Sequence, residues 1–486
     1  MSDTLEKQSE SAAHELCRLT ATEAVARLER GEVTPLELVE AAAARIAETD
    51  GALNAMPTLC LERAREQAER LMAQKRDASR RPGWLAGLPV GIKDLNEVAG
   101  VRTTYGSPIF ADFVPERSDI MVERLEARGA IVVGKTNTPE FGAGASTFNE
   151  VFGKTRNPWN TSKSVAGSSG GSAAALAAGQ VWLASGSDLG GSLRTPASFN
   201  GVVGLRPSPG RVASGPRQFP FATLAVEGPM ARTAADAALF LDALAGLHPE
   251  DPLSLAAPAT PFVNAVREAR PPRRVGYSPG LGLLPVDPEV ECICRAAAER
   301  FADMGAIVEE AAPDFAGAQE AFQVLRAAGF AAKLGPLLES HREQFKPEVI
   351  WNVEKGLALT AAEIGRAESE RGRLYQRVVA FFEDYDLLLC PAAIVPPFDV
   401  DVRYVEAVEG QRFETYIDWI AITFAITLTS CPALSAPAGL TASGLPVGLQ
   451  IVGPPRGEAA ILSAAALLEQ ASGSAGQLPI DPRVAA

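Results

Sequence analysis

Histidine is nearly absent from this chain, with only His14, His248 and His341 among 486 residues. Each lies in a polar or charged stretch without a motif around it, so a Ser-His-Asp relay lacks a histidine in a suitable place. Cysteine is sparse as well. Cys17, Cys60, Cys292, Cys294, Cys390 and Cys431 are scattered rather than framed, which predicts a reduced, cytoplasmic chain. Only Cys292 and Cys294 stand close together, and without a second pair or a nearby histidine they make a poor metal site. Positive charge is in deficit: a formal net charge of -14 argues against nucleic acid as a direct partner, which needs a basic footprint. Residues 1–10 are polar and contain no apolar signal region. The uncharged stretch 420–440 is interrupted by Pro432, Pro437 and several hydroxyl residues. It is expected to be a buried helix leading into a core strand rather than a membrane span.

What the chain has in quantity is apolar residues, 47% of the total, enough for a large core. It also concentrates glycine, alanine and serine in residues 163–207, with Asp188 and Arg194 on either side of one Gly-Gly-Ser. So little side-chain bulk lets the backbone approach a reacting group closely. A flexible linker would share that composition. Here, however, residues 172–178 form an alanine-rich helical run and 181–184 a short apolar run of strand type, so both glycine clusters punctuate packed elements. A phosphate loop is excluded, because neither cluster has the lysine that GxxxxGK[ST] requires. Gly167, Ser169 and Gly171 fit the G-x-S-x-G nucleophile elbow, but that motif needs a buried strand before it and a histidine after it. Residues 160–164 are polar and read as loop, and no histidine lies in a suitable context.

A serine nucleophile without histidine needs another base, and lysine serves when it is desolvated and neutral. Residues 88–93 form an apolar strand-like run that ends on Lys93 and would carry its ammonium into the interior. A buried lysine is costly unless paired or uncharged, so Lys93 is either bridged to the adjacent Asp94 or functional.

Lys93, Ser168 in Gly167-Ser168-Ser169-Gly170-Gly171, and Ser192 in Asp188-Leu189-Gly190-Gly191-Ser192-Leu193-Arg194 resemble the amidase signature family. That family uses a Ser-Ser-Lys triad with a cis peptide bond before the first serine. The resemblance extends through residues 19–55, 134–141, 157–160 and 444–453. It implies an α/β fold, one large mixed β-sheet covered on both faces by helices, as a single domain over residues 1–486. It also implies an amide hydrolase in which Ser192 is the nucleophile, Ser168 relays the proton and neutral Lys93 is general base and then general acid. The N–H groups of Leu189, Gly190, Gly191 and Ser192 would form the oxyanion hole. Asp188 and Arg194 read as a clamp on the nucleophile turn, and Ser169 either hydrogen-bonds within the site or simply forms the turn. No cofactor and no metal are implied.

Three positions depart from the family's usual residues: Ala166 for glycine, Ser187 for threonine and Arg206 for lysine. Residues 1–75 read as an N-terminal helical segment, 229–396 as a variable helical region that decorates the core and shapes the substrate channel, and 471–486 as an ordinary tail. Tyr416, Trp419, Ile420 and Phe424 recur at roughly helical spacing. They could line an acyl or aryl pocket, and core packing is the favoured reading. The expected protein is a cytoplasmic homodimer acting on a small-molecule amide, linear or cyclic, without nucleic acid or membrane partners. The alternative is the glutaminase component of a glutamyl-tRNA amidotransferase, although residues 366–377 lack the tyrosine-rich segment associated with that component. A non-catalytic binding relative is disfavoured, because every triad position is filled.

Overall fold

The computed structural model describes residues 14–74, 82–474 and 477–484. One mixed sheet takes eleven strands, in chain order β1 (Thr58–Leu59), β2 (Pro89–Lys93), β3 (Ile131–Thr136), β4 (Leu183–Asp188), β5 (Val203–Arg206), β6 (Val226–Ala231), β7 (Arg274–Tyr277), β8 (Ile307–Glu310), β9 (Leu387–Pro391), β10 (Ala433–Leu440) and β11 (Pro446–Val452). Across the sheet they lie in the order β1-β3-β2-β4-β6-β5-β10-β11-β9-β7-β8. Pairing is parallel where β2 meets β3 and β4 and where β7 meets β8 and β9. It is antiparallel through the centre, from β4 by way of β6, β5, β10 and β11 to β9.

Among the helices around this sheet are α1 (Ala21–Arg30), α2 (Pro35–Leu53), α3 (Gly170–Ala177), α4 (Arg194–Asn200), α5 (Ala234–Leu244), α6 (Ala318–His341) and α7 (Ala421–Leu428). Successive side chains of a strand point to opposite faces. Ile131 and Val133 of β3 and Ala184 of β4 therefore join an apolar cluster with the alanines of α3, whereas Val132 and Leu183 join a second cluster that includes α5. With helices on both faces, these strands are buried nearly throughout instead of alternating between buried and exposed.

The N-terminal helices begin on capping boxes, Thr20 with Glu23 and Thr34 with Glu37, and Pro35 opens α2. The buried stripe of α2 includes Arg45, whose Nε donates to Ala178 O at 2.7 Å and whose Nη2 donates to Ile480 O at 3.1 Å. Arg45 also pairs with Asp481 at 2.8 Å, and the Ile480 N–H returns to Ala177 O at 2.9 Å. Residues 477–484 thus form a strap pinned to α2 and the end of α3, not the ordinary tail expected from a segment without periodicity.

Two other expectations are corrected. Residues Asn160–Ser164, read as loop, form a strand paired with Arg156–Asn157 in a two-stranded ribbon outside the main sheet, where polar side chains are tolerated. Region 229–396 does more than decorate the core, because it supplies β7, β8 and β9 to the sheet. The outermost of these, β8, is half-exposed and carries two glutamates, which hid it. Stretch 420–440 becomes α7 followed by β10, as expected. Among the described residues no helix is long and apolar enough to cross a membrane.

Truncating Arg45 to alanine strands two carbonyl oxygens and frees the strap. Arg45→Ala should cost about 2–4 kcal/mol of stability, read as a lower midpoint in urea denaturation. An unchanged midpoint would mean that the strap contributes nothing to the fold.

Candidate active site

β2 and β4 run side by side and parallel, so their C-terminal ends deliver Lys93 and Asp188 to the same edge of the sheet. Lys93 is fully buried, and its own N–H donates to Ser185 Oγ at 2.9 Å, locking the strand end. Its Nζ donates to Ser168 Oγ at 2.7 Å, Ser169 Oγ at 2.9 Å and Ser187 Oγ at 2.9 Å. Among the described residues it has no ion pair. The bridge to Asp94 that its sequence position allowed is not formed, because Asp94 accepts from Lys135 Nζ at 2.8 Å and from Thr104 Oγ1 at 2.6 Å. Burial pushes the Lys93 ammonium down to about 7, against the opposing pull of Glu227 and Asp188.

Ser168 and Ser169 stand at the start of α3, and the Gly167–Ser168 peptide is cis. Ala166 has φ 56°, which accounts for the family's preference for glycine there. The turn fits tightly into its surroundings: a Cβ on Gly171 would lie 2.3 Å from Asn137 N. Ser169 is part of the site, accepting from Lys93 Nζ and also from the Ser187 N–H at 3.3 Å.

Ser192 lies in the turn between β4 and α4, partly open to solvent, and its carbonyl accepts from the Ser169 N–H at 3.2 Å. Its Oγ has no hydrogen-bond partner among the described residues. Asp188 shapes this turn by accepting from the N–H groups of Gly191 at 2.9 Å and Leu193 at 3.1 Å. Arg194 grips the same carboxylate with Nε at 3.0 Å and Nη2 at 2.9 Å, and Arg206 adds Nη1 at 3.2 Å. Burial alone would raise the Asp188 carboxyl; the two guanidiniums and the Leu193 N–H override it and hold the group well below the usual carboxylate range. The Gly191 N–H is thus directed at Asp188, leaving the N–H groups of Leu189, Gly190 and Ser192 without a partner among the described residues. Gly191 has φ 126°, and a Cβ there would meet Thr423 Oγ1 at 2.3 Å, so only glycine fits.

Of the four aromatic and aliphatic positions considered for a pocket, Ile420 and Phe424 pack against Gly190. Trp419 is buried edge-on to Phe398, and Tyr416 accepts through its hydroxyl from Arg326 and Asn352. Phe322 of α6 was not foreseen. It stacks on Phe424 with ring centroids 4.2 Å apart and approaches Gly190. Ser187 and Glu227 were also missed as site residues, since neither carries a motif; the one available signal was the departure from threonine at 187.

Residues 37–462 match the family model described as Amidase. The acylamidase of Rhodococcus erythropolis is 36% identical over 471 residues, spanning 96% of this chain and 98% of that protein. A glutamyl-tRNA(Gln) amidotransferase subunit of Thermus thermophilus is 38% identical over 481 residues, spanning 94% of this chain and 98% of that protein. A crystal structure of a bacterial aryl acylamidase from the amidase signature enzymes superposes with a TM-score of 0.88 at 28% identity, covering 94% of this chain and 97% of the other. Sheet order, serine-rich turns and sequence together define a hydrolase of the amidase class. The chain belongs to the amidase signature family.

Asp188→Asn would leave two buried guanidiniums without their counter-charge. It should destabilise the protein by about 3–5 kcal/mol, measurable in urea denaturation beside Arg206→Lys, which retains the charge and should lose less. Equal and small losses would show that the carboxylate does not organise the turn.

Proposed function

We propose that the chain hydrolyses a carboxylic amide to acid plus amine or ammonia through an acyl-enzyme on Ser192. The observation that carries this reading is Lys93, a wholly buried amine with three serine hydroxyls around it and no ion pair among the described residues. Ser192 Oγ bonds to the amide carbon while its proton passes to Ser168 Oγ, whose own proton passes to Lys93 Nζ. The oxyanion meets the unengaged N–H groups of Leu189, Gly190 and Ser192, and one such donor is worth about 3 kcal/mol. Collapse breaks the C–N bond, and the leaving nitrogen takes a proton from Ser168, which Lys93 resupplies. Water then attacks the ester by the same relay, with Ser192 Oγ as the leaving group.

An acyl or aryl amide, linear or cyclic, is the substrate class we favour. The activities named for the acylamidase and the aryl acylamidase support it, and Phe322, Ile420 and Phe424 supply an apolar wall beside Gly190. We also read the chain as one domain, because one sheet takes strands from Thr58 to Val452, and as a cytoplasmic homodimer, for which the six free cysteines support the reducing compartment. The likeness to the Thermus amidotransferase component favours a second reading, a glutaminase working in a complex.

The purified chain alone should hydrolyse simple amides and handle glutamine poorly. Glutamine as the one amide cleaved, with turnover rising when partner subunits and charged tRNA are added, would establish the second reading instead.

Groups that act as a unit fail together. Ser192→Ala, Ser168→Ala and Lys93→Ala should each reduce kcat by ~10³ or more, with double variants no worse than single ones, while Ser169→Ala is milder. A dead Ser169→Ala beside an active Ser192→Ala would reassign the nucleophile.

Lys93 accepts a proton only when uncharged, so activity is lost below its pKa and gained above it. The acid limb of kcat/KM should therefore rise through about pH 7. A profile flat from pH 5 to 9 would remove lysine from the mechanism.

A further inference from the structure

β4 and β6 pair antiparallel with Ser187 directly opposite Glu227. Every other residue of these two strands is buried; this cross-strand pair alone is partly open. Opposed residues have Cβ atoms about 5 Å apart, so the Glu227 carboxylate stands beside the hydroxyl that takes a hydrogen bond from Lys93 Nζ at 2.9 Å. The Glu227 side chain is 14% exposed, and its Oε1 lies 3.8 Å from Arg217 Nη2. Its Oε2 is buried without a hydrogen-bond partner.

A second buried acceptor lies close by. Asn96 follows Lys93 by three positions, is 4% exposed, and donates through Nδ2 to Asp119 at 2.9 Å. It is near enough to Glu227 for its amide to oppose, with Arg217 and Lys93, the upward push of burial on that carboxyl. The Asn96 Oδ1 also lacks a partner. Two buried acceptors without a partner, on neighbouring side chains, are costly unless a donor arrives. The local charge points the same way. Arg217 and Lys333 pull the Glu227 carboxyl down against its burial, and Glu227 and Glu97 both push the neighbouring Asp119 up. Asp119 is pushed up to about 7, by burial first and then by Glu227 and Glu97.

We propose that Glu227, supported by Asn96, is a substrate-recognition site for a primary ammonium group, so that the preferred substrates are amides carrying a protonated amine near the scissile bond. This rests on the amide-hydrolase reading and narrows it. The ammonium would donate to Glu227 Oε2 and Asn96 Oδ1, while the amide carbonyl reaches Ser192. Glu227 acts in binding and passes no proton itself, although its charge also pulls on Lys93.

The test is a series of ω-amino amides from glycinamide to 6-aminohexanamide, each matched with the neutral amide in which methyl replaces ammonium, at a pH where the amines are protonated. At least one amino amide should exceed its neutral partner in kcat/KM by about tenfold or more. In Glu227→Gln that ratio should fall towards one. Calorimetry on Ser192→Ala supplies a readout that leaves Glu227 unaltered, with the amino amide binding more tightly than its partner. Neutral amides cleaved as well as every amino amide, equal affinities in Ser192→Ala, or a preference that survives Glu227→Gln would each overturn the inference and leave the hydrolase reading standing. A folded protein that cleaves no amide of either kind would remove both.

Discussion

One buried carboxylate holds the turn that carries Ser192 together. Asp188 takes the N–H groups of Gly191 and Leu193 and the guanidiniums of Arg194 and Arg206, all inside the protein. Arg194 extends the tie to the Thr423 carbonyl, Thr427 Oγ1 and Gln450 Oε1, the first and last of which lie 229 and 256 positions further along the chain. The end of β4 is thereby joined to α7 and β11, and through Arg206 to the end of β5. A turn restrained from so many directions presents its N–H groups in a fixed array, which is what electrostatic preorganisation requires.

The contrast between Lys93 and Lys135 explains how an amine of lowered proton affinity arises here. Both lysines are wholly buried, on adjacent strands. Lys135 is given the Asp94 carboxylate at 2.8 Å and Thr103 Oγ1 at 2.7 Å; Lys93, the sequence neighbour of Asp94, is given hydroxyls. Burial lowers the proton affinity of both, and Asp94 opposes it at Lys135 alone at close range. By claiming the nearest anion, Lys135 leaves Lys93 poised between its two protonation states.

Much of this was legible in the sequence because it is carried by local chemistry. The apolar run ending on Lys93, the glycines around Ser168 and Ser192, and the Asp188–Arg194 spacing all survive as contacts in the fold. What could not be read depends on long-range pairing. Asp94 turned away from Lys93 because β3 brings Lys135 alongside β2. Glu227 entered the picture through its register with Ser187, which no motif encodes. The strands β7 to β9 were obscured by helix-rich surroundings, and the 477–484 strap by its lack of periodicity.

The sheet order carries a consequence for synthesis. β10 and β11 lie between β5 and β9, so the middle of the sheet is filled by residues 433–452 after both of its flanks have been made. A chain emerging from the ribosome must keep β5 and β9 unpaired on their facing edges until that hairpin appears. Exposed strand edges are templates for association with other chains. The facing edges of β5 and β9 are therefore where a chain still lacking that hairpin is most open to association, and where shielding by a chaperone has the most to offer.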